Sequence, residues 1–511
     1  MSAAPPARSG QGRLAAPAGR AASALACLAM LVGASAAHAE GFEEERSHAL
    51  ELGLQAYEYG QPLLDTERIF KTVTSVTVPD HLGDAPVNQF SHYLNLITQK
   101  RGITAPNVDT LYSTAWLDLT PEPIVLHVPP GPRFNVVELL SPYTEDFANI
   151  GTGASGILPA GDYVIAGPKQ LPGRTTYGGM PVVRSPYTRV WVIDRTLVNS
   201  AEDLPAAVAE QEATKLVPLE AWSSEGVAYQ PPPPAQIITR PKLAVIPGTG
   251  RQQPLEYWTA LGRALGQFPP PAADAPLLER LATVNVGANL SPSSTNSGEG
   301  TLAGLSEAVG AGRFQVLSDI GAELSAGFAA HNGWLLAPLG NYGTNYELRA
   351  ITDRLGIAAL TANVATYLGA LTDRVGATLN GASSRYVAHF PASDFPVPVL
   401  GFWSVTLYRS SGRFVQNALD RFTLGNRSPL HFNPDGSLDI YLQNAEPSSE
   451  TQRENWLPAP AGGFQLVLRL YGVNEAALPG LLEGHAGHWQ PPTILRCLQS
   501  GKTLAGWACA E

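Results

Sequence analysis

The sequence predicts a mixed α+β protein, mainly β: two antiparallel β-sandwich or jelly-roll-like domains joined by a helical middle segment. Three observations carry this. Short runs rich in β-branched and aromatic residues crowd residues 110–194, separated by Pro, Gly and Asp turns. A second set returns over residues 384–472, and between the two sets apolar residues recur at helical spacing. Strands segregated from helices in this way belong to α+β architectures.

From the N-terminus, residues 1–39 read as a cleaved secretory signal peptide. Arg8, Arg13 and Arg20 precede an apolar run from Ala24 to Val32, and Ala37-His38-Ala39 supplies a small-x-small cleavage site. The run is too short for a spanning helix. A periplasmic or secreted location is expected, and with it an oxidising setting in which Cys497 and Cys509 pair as a terminal disulfide staple.

An N-terminal β domain is expected over residues 45–228. It opens with a helix at 45–70 (Leu50, Leu52, Leu54, Tyr57), ended by Gly60-Gln61-Pro62. Strands follow at 110–119, 123–128, 134–140, 162–167 and 188–194, then a helix at 202–216 with acids and a proline in its first turn. The semi-rigid linker Tyr229-Gln-Pro-Pro-Pro-Pro-Ala235 begins a middle region, 229–380, with helices at 253–267, 273–284, 302–329 and 345–379. The C-terminal β domain, 381–511, takes strands at 384–390, 399–409, 437–443 and 463–472. Asn433-Pro434-Asp435-Gly436 forms a hairpin turn ahead of the third.

The formal net charge of −11 argues against a nucleic-acid partner, because acidic chains repel phosphate backbones. No stretch after the leader is long and apolar enough to span a bilayer. Gly151, Gly153 and Gly156 spell G-x-G-x-x-G, the spacing of a dinucleotide-binding turn. That turn must link a buried parallel strand to a helix. Here acidic residues precede it, Pro159 and Gly161 arrive within five residues, and a strand-like run comes next, so the glycines make turns. His485-x-x-His488 has ligand spacing but no third ligand nearby. Neither a metal nor a cofactor is expected.

Among acids, Asp109, Glu138, Glu145 and Asp146 lie in or beside neighbouring strands. Paired carboxylates suit acid–base or nucleophilic chemistry on glycosides, and Asp109, Glu145 and Asp146 are the catalytic candidates. In the alternative reading Asp109 caps a turn while Glu145 and Asp146 face solvent.

"APNVDTLYSTAWLDL", "YTEDFANIGTGASG", "AGDYVIAGP" and "SPYTRVWVIDRTLV" resemble exported proteins carrying domain of unknown function 1254. "AHNGWLLAP", "GNYGTNYELRA", "GFWSVTLYRSSGRFVQN", "NPDGSLDIYLQ" and "NWLPAPAGGFQLVLRLYG" resemble its usual partner, domain of unknown function 1214. The resemblance covers roughly residues 50–495. It implies two β-sandwich or jelly-roll-like domains with helices between, and it brings no established reaction. Two departures stand out: Ser141-Pro142 where relatives usually have an Asp before the Tyr-Thr pair, and Gly153 where they often carry Arg.

Recurring polar and aromatic residues mark a candidate ligand site. They are Asn107, Asp109, Tyr112, Tyr143 and Thr144 in the first domain, with Trp334, Tyr342, Tyr346, Arg349, Asn455 and Trp456 beyond it. Aromatic rings with amide and guanidinium groups suit a sugar or small polar organic ligand; the alternative is that they fill an interdomain core and Arg349 pairs with a buried acid. Two functional readings stand. One is an exported enzyme, hydrolysing a small organic or carbohydrate-like substrate in an interdomain cleft. The other is a non-catalytic periplasmic ligand-binding or homo-oligomeric structural protein.

Overall fold

The computed structural model describes residues 18–97, 105–232, 246–249, 253–326, 332–337, 339–483 and 489–497. Among the described residues the strands form four open sheets. The first runs, in spatial order, Ser91–His92, Thr110–Asp118, Arg189–Leu197, Asn135–Leu140, Asp146–Thr152 and Leu158–Pro159. The second runs Lys215–Pro218, Ile124–Val128, Gly161–Ala166, Met180–Arg184 and Thr176–Tyr177. Because side chains alternate across a strand, each sheet turns one apolar row inward. Leu117, Leu126, Val137, Ile165 and Val192, drawn from both sheets, share one core.

The C-terminal half repeats this plan. The third sheet runs Leu335–Leu336, Ala365–Ala370, Phe464–Val473, Val399–Arg409 and Thr423–Gly425; the fourth runs Trp456–Pro458, Leu438–Gln443, Arg385–Phe390 and Thr493–Cys497. Leu368, Ala388, Val405, Ile440 and Leu468 share its core. The expected purely antiparallel pairing is corrected. Asp146–Thr152 pairs parallel with Leu158–Pro159, Gly161–Ala166 with Met180–Arg184, and Leu438–Gln443 with Trp456–Pro458. Each parallel ladder spans only two or three residue pairs, so a short segment suffices to return the chain to the same end.

Helices position these sheets: α1 (Ala18–Val73), α2 (Leu204–Ala213), α3 (Leu219–Glu225), α4 (Leu255–Gln267), α5 (Ala275–Ala282), α6 (Glu299–Ala326) and α7 (Tyr346–Gly356). Helix α1 lies along α6 and also packs on α4, α5 and α7. Leu52, Ala56, Tyr59, Leu63, Trp258, Leu261 and Leu305 form the shared core. The expected helix end at Gly60-Gln61-Pro62 is absent: α1 continues to Val73 with Pro62 inside it. An interior proline costs about 3 kcal/mol, which burial of Tyr59, Leu63 and Leu64 offsets.

The helix expected over 345–379 stops at Gly356, and Ala365–Ala370 pairs as a strand with Phe464–Val473. A six-residue apolar run fits either period, and the neighbouring strand decides. Likewise α2 ends at Ala213, and Lys215–Pro218 joins the second sheet rather than prolonging the helix. Cys497 ends the last strand and is buried. Its expected partner Cys509, together with His485 and His488, lies outside the described residues.

Candidate functional site

The outer faces of the first and third sheets point toward each other. On the first sheet Tyr112, Thr114 and Trp116 project outward, since Ala115 and Leu117 belong to the inner core. Their cross-strand partners are Arg195, Ile193 and Trp191. Glu138 sits opposite Ile193 on the far side. On the third sheet Tyr367, Val467, Arg469 and Tyr471 project outward, their neighbours Leu368, Leu466, Leu468 and Leu470 being core.

Hydrogen bonds weld the two halves along this seam. Asn107 Nδ2 donates to Tyr471 Oη at 2.8 Å and to Thr110 Oγ1 at 2.9 Å. Tyr408 Oη donates to the Pro106 carbonyl at 2.7 Å, and Arg469 Nη2 donates to that of Ala105 at 2.9 Å. Ser404 Oγ donates to Asp109 Oδ2 at 2.7 Å, and Arg427 completes an ion pair with the same fully buried carboxylate. Backbones also meet directly. Gly472, at φ +68°, passes the Gly153 carbonyl so closely that a Cβ would stand 1.8 Å from the oxygen. Here the glycine run finds its use. Gly151 belongs to the strand Asp146–Thr152 rather than to a turn, and the chain continues into two further strands instead of a helix.

Beside the seam lies a cavity of ≈ 650 Å³. Apolar side chains dominate its wall: Ile69 and Val73 of α1, Leu355 and Ile357 at the end of α7, Ile193 and Val467. Trp116 and Trp191 lie together in it, stacked with centroids 4.9 Å apart and planes 9° apart. Polar side chains share the wall, among them Asn107, Tyr112, Arg195, Tyr367, Arg469 and Tyr471. Arg195 donates to Glu138 at 2.7 Å and to the Ala358 carbonyl at 3.2 Å. Burial pushes the Glu138 carboxyl up to about 8 despite that guanidinium. Tyr367 and Tyr471 face each other at 3.4 Å between hydroxyls, and burial raises both phenols. Arg469 is anchored on Thr406 and Tyr408, each at 3.0 Å.

The candidate residues separate into three places. Asn107 and Tyr112 line the cavity, while Asp109 lies in the seam next to it. Tyr143, Thr144, Glu145, Tyr342, Tyr346 and Arg349 gather around α7 and the 141–145 turn. Ser141 Oγ closes that turn by accepting from the Tyr143 amide at 3.1 Å. The Arg349 guanidinium lies over the rings of Tyr59, Tyr143 and Tyr346 at 5.1, 5.4 and 5.2 Å. Tyr59 and Tyr346 both donate to buried Asp274 at 2.8 Å. Glu145 accepts from the Tyr342 amide at 3.1 Å, and burial raises its carboxyl. Asp146, pushed up to about 6 by burial, accepts from Asn149 and from the Thr361 amide. Thus Glu145 and Asp146 are turned into the protein, not toward solvent.

Trp334, Asn455 and Trp456 lie in the interior of the C-terminal half. Trp334 Nε1 donates to the Pro492 carbonyl at 2.7 Å and Trp456 Nε1 to that of Gln443 at 2.8 Å. Asn455 accepts from the His431 amide at 2.9 Å and donates to the His431 and Asp439 carbonyls. Trp191, Arg195, Tyr367, Arg469 and Tyr471 escaped the sequence reading. A period-two reading of "TRVWVIDRTL" does place Trp191, Ile193 and Arg195 on one face, but nothing local marks that face as a cavity wall.

A further polar chain crosses the inner side of the first sheet. His92 Nδ1 lies 2.9 Å from Ser113 Oγ, which donates to Asp194 at 3.1 Å; Asn135 donates to the same carboxylate at 2.9 Å. The serine stands between the other two and is fully buried, so this chain ties strands together. Among the described residues no group of three or more His, Cys, Asp or Glu could hold a metal ion, and no helix is long and apolar enough to cross a membrane.

Residues 87–218 match the family model described as protein of unknown function DUF1254, and residues 364–475 match that of protein of unknown function DUF1214. The crystal structure of the VPA0106 protein from Vibrio parahaemolyticus superposes with a TM-score of 0.61 at 21% identity, covering 87% of this chain and 99% of that one. An uncharacterized protein from Burkholderia cenocepacia aligns at 12% identity and a TM-score of 0.40, over 91% of this chain and 97% of its own. The Vibrio protein shares the fold. No curated protein matches the chain.

Proposed function

We propose that this chain, a DUF1254 region followed by a DUF1214 region, binds a small, largely apolar organic molecule in the cavity between its first and third sheets. The observation that carries this is the ≈ 650 Å³ cavity walled by Ile69, Val73, Ile193, Ile357 and the stacked Trp116–Trp191 pair. Ligand sites are typically about 300–1,000 Å³, mostly apolar, with few oriented polar groups, and they favour interdomain seams.

Hydrolysis, the other reading, leans on Asp109 with Glu145 or Asp146. Asp109 is held by Arg427 and Ser404, Glu145 is turned to the Tyr342 amide, and none of the three lines this cavity. Binding is therefore the better supported reading. The basic and apolar character of residues 1–39 supports an exported setting, where Cys497 and Cys509 would pair.

The test is a thermal-shift panel of cyclic aromatics, terpenoids and medium-chain aliphatics on the full chain. A bound ligand at a hundred times its Kd stabilises by about 2.7 kcal/mol, readily seen as a raised melting temperature. Saturable stabilisation at one molecule per chain, accompanied by a change in tryptophan fluorescence, is expected. A panel that moves neither signal would overturn the reading.

A further inference from the structure

Two hydroxyls in the cavity wall receive a hydrogen bond and, among the described residues, give none. Tyr112 and Thr114 lie two residues apart on one face of the strand Thr110–Asp118, and both line the cavity. Tyr112 Oη accepts from Asn107 Nδ2 at 3.4 Å, and Thr114 Oγ1 accepts from Trp191 Nε1 at 2.9 Å. A hydroxyl carries one proton besides its acceptor lone pairs, so each side chain keeps one donor to offer.

This donor surface is open. Both side chains are only half-buried, whereas Leu111, Ser113 and Ala115, which point the other way, are at most 1% exposed. The strand's backbone is covered here by Ser91, His92 and Tyr93 on one edge and by Arg189–Leu197 on the other. What stays accessible is the outward side-chain face, the one that forms the cavity wall.

Acceptors at this end are already taken. The Ala105 carbonyl receives Arg469, the Pro106 carbonyl receives Tyr408, and Asn107 Oδ1 receives the Asp109 amide at 2.6 Å. Tyr471 Oη accepts from both Asn107 and Tyr367. An entering molecule therefore meets donors that lack an acceptor, while its own donors would find the nearby oxygens occupied.

We propose that the cavity takes a neutral carbonyl compound, a ketone or ester, whose carbonyl oxygen accepts from Tyr112 Oη and whose apolar body lies along Trp191 and Ile193. This rests on the binding reading above and names its ligand class. Thr114 stands about 6.6 Å further along the strand, placed for the second oxygen of an ester or diketone.

Other polar classes fit less well. An alcohol or primary amide brings a donor to a set of filled acceptors. A carboxylate needs a counter-ion, but Arg195 already pairs with Glu138. Arg469 directs its terminal nitrogens to Thr406, Tyr408 and the Ala105 carbonyl. A hydrocarbon leaves both hydroxyl protons unanswered.

The experiment measures binding to the full chain by equilibrium dialysis within one skeleton: 2-acetylnaphthalene, 1-(2-naphthyl)ethanol, 2-ethylnaphthalene and 2-naphthoic acid. A second series, 2-undecanone, 2-undecanol and undecanoic acid, repeats the comparison on a linear chain. Each ketone is expected to bind about fivefold tighter than the other members of its series. That ratio corresponds to ~1 kcal/mol, the net worth of one neutral hydrogen bond. Infrared spectra of bound 2-acetylnaphthalene, ¹³C-labelled at the carbonyl, should place its stretch below that of the same ketone in hexane, the mark of an accepted hydrogen bond. In Tyr112→Phe the stretch should return toward the hexane position. The preference over 2-ethylnaphthalene should vanish there while both compounds still bind.

Alcohols that bind as tightly as the ketones, or a bound stretch unshifted from hexane, overturn the carbonyl assignment and leave the apolar binding site standing. Tighter binding of the acids overturns it in the same way. So does a wider panel that binds while neither series does. Failure of both series together with the wider panel overturns the cavity reading itself.

Discussion

Ser404 Oγ donates to Asp109 Oδ2 at 2.7 Å across 295 residues of chain, and Arg427 pairs with the same carboxylate, so Asp109 joins the two β halves. The carboxylate is fully buried. Removing one partner of such a pair strands a buried charge, at about 3–5 kcal/mol. Asp109→Ala is therefore expected to destabilise by that amount in urea denaturation. Asp109→Leu/Arg427→Met should lose markedly less than the single variants summed. An Asp109→Ala protein of unaltered stability would refute the joining role.

Gly472 tests the backbone seam. Any side chain there meets the Gly153 carbonyl at 1.8 Å and holds φ at +68°, a left-handed conformation that disfavours L residues. Gly472 lies within the strand Phe464–Val473 and Gly153 directly follows the strand Asp146–Thr152, so neither can retreat cheaply. Gly472→Ala is expected to cost more than the ~1 kcal/mol of an ordinary glycine replacement, and circular dichroism melts would measure it. In Gly153→Arg the added Cβ meets Phe134 Cδ2 at 2.8 Å at φ +84°. It should be tolerated only if Phe134 moves, which a crystal structure of the variant would reveal.

Trp116 and Trp191 predict a spectroscopic signature. Trp191→Phe keeps an aromatic face but breaks the stacked pair and the bond to Thr114. Ligand-induced fluorescence change should fall by more than half, and affinity by several-fold. Trp334→Phe, in the C-terminal core and not part of the cavity wall, should leave both unchanged while lowering the melting temperature.

Stability should fall as pH rises through neutrality. Burial pushes Glu138 up to about 8 from 4.5, and Asp194 and Asp353 up to about 7 from 3.8. Glu138 is faced by Arg195, Asp146 and Tyr342. A carboxyl whose folded value is raised holds its proton in the native state where the unfolded chain has released it. The native state then binds more protons, and ΔG of unfolding declines with pH between the ordinary and the raised values. Melting temperature is expected to drop from pH 5.5 to 8.5, and Asp194→Asn should flatten the slope. A rising profile would contradict these assignments.

Strand positions were legible because their signal is local. "TLYSTAWLDL", "FNVVELL" and "GFQLVLRLYG" alternate or stay apolar at strand length, and each forms a strand within a residue or two of its expected bounds. The same locality showed that a strand rather than a helix follows Gly151-Thr-Gly153. It failed where a short run suits two periods, as at Ala365–Ala370, and where distant packing overrides a breaker, as at Pro62.

By itself the sequence determined the pair of families, their order and the positions of many strands. Tertiary structure alone decided that Asn107, Asp109 and Tyr112 stand apart from Tyr143, Arg349 and Tyr346. It also decided that Trp116, Arg195, Tyr367 and Tyr471 enclose one cavity. The reason is physical. Alternation fixes which side chains leave a sheet together, within a few residues of chain. Which two outward faces meet depends on contacts between residues hundreds of positions apart, such as Asn107 with Tyr471, and no local period encodes them.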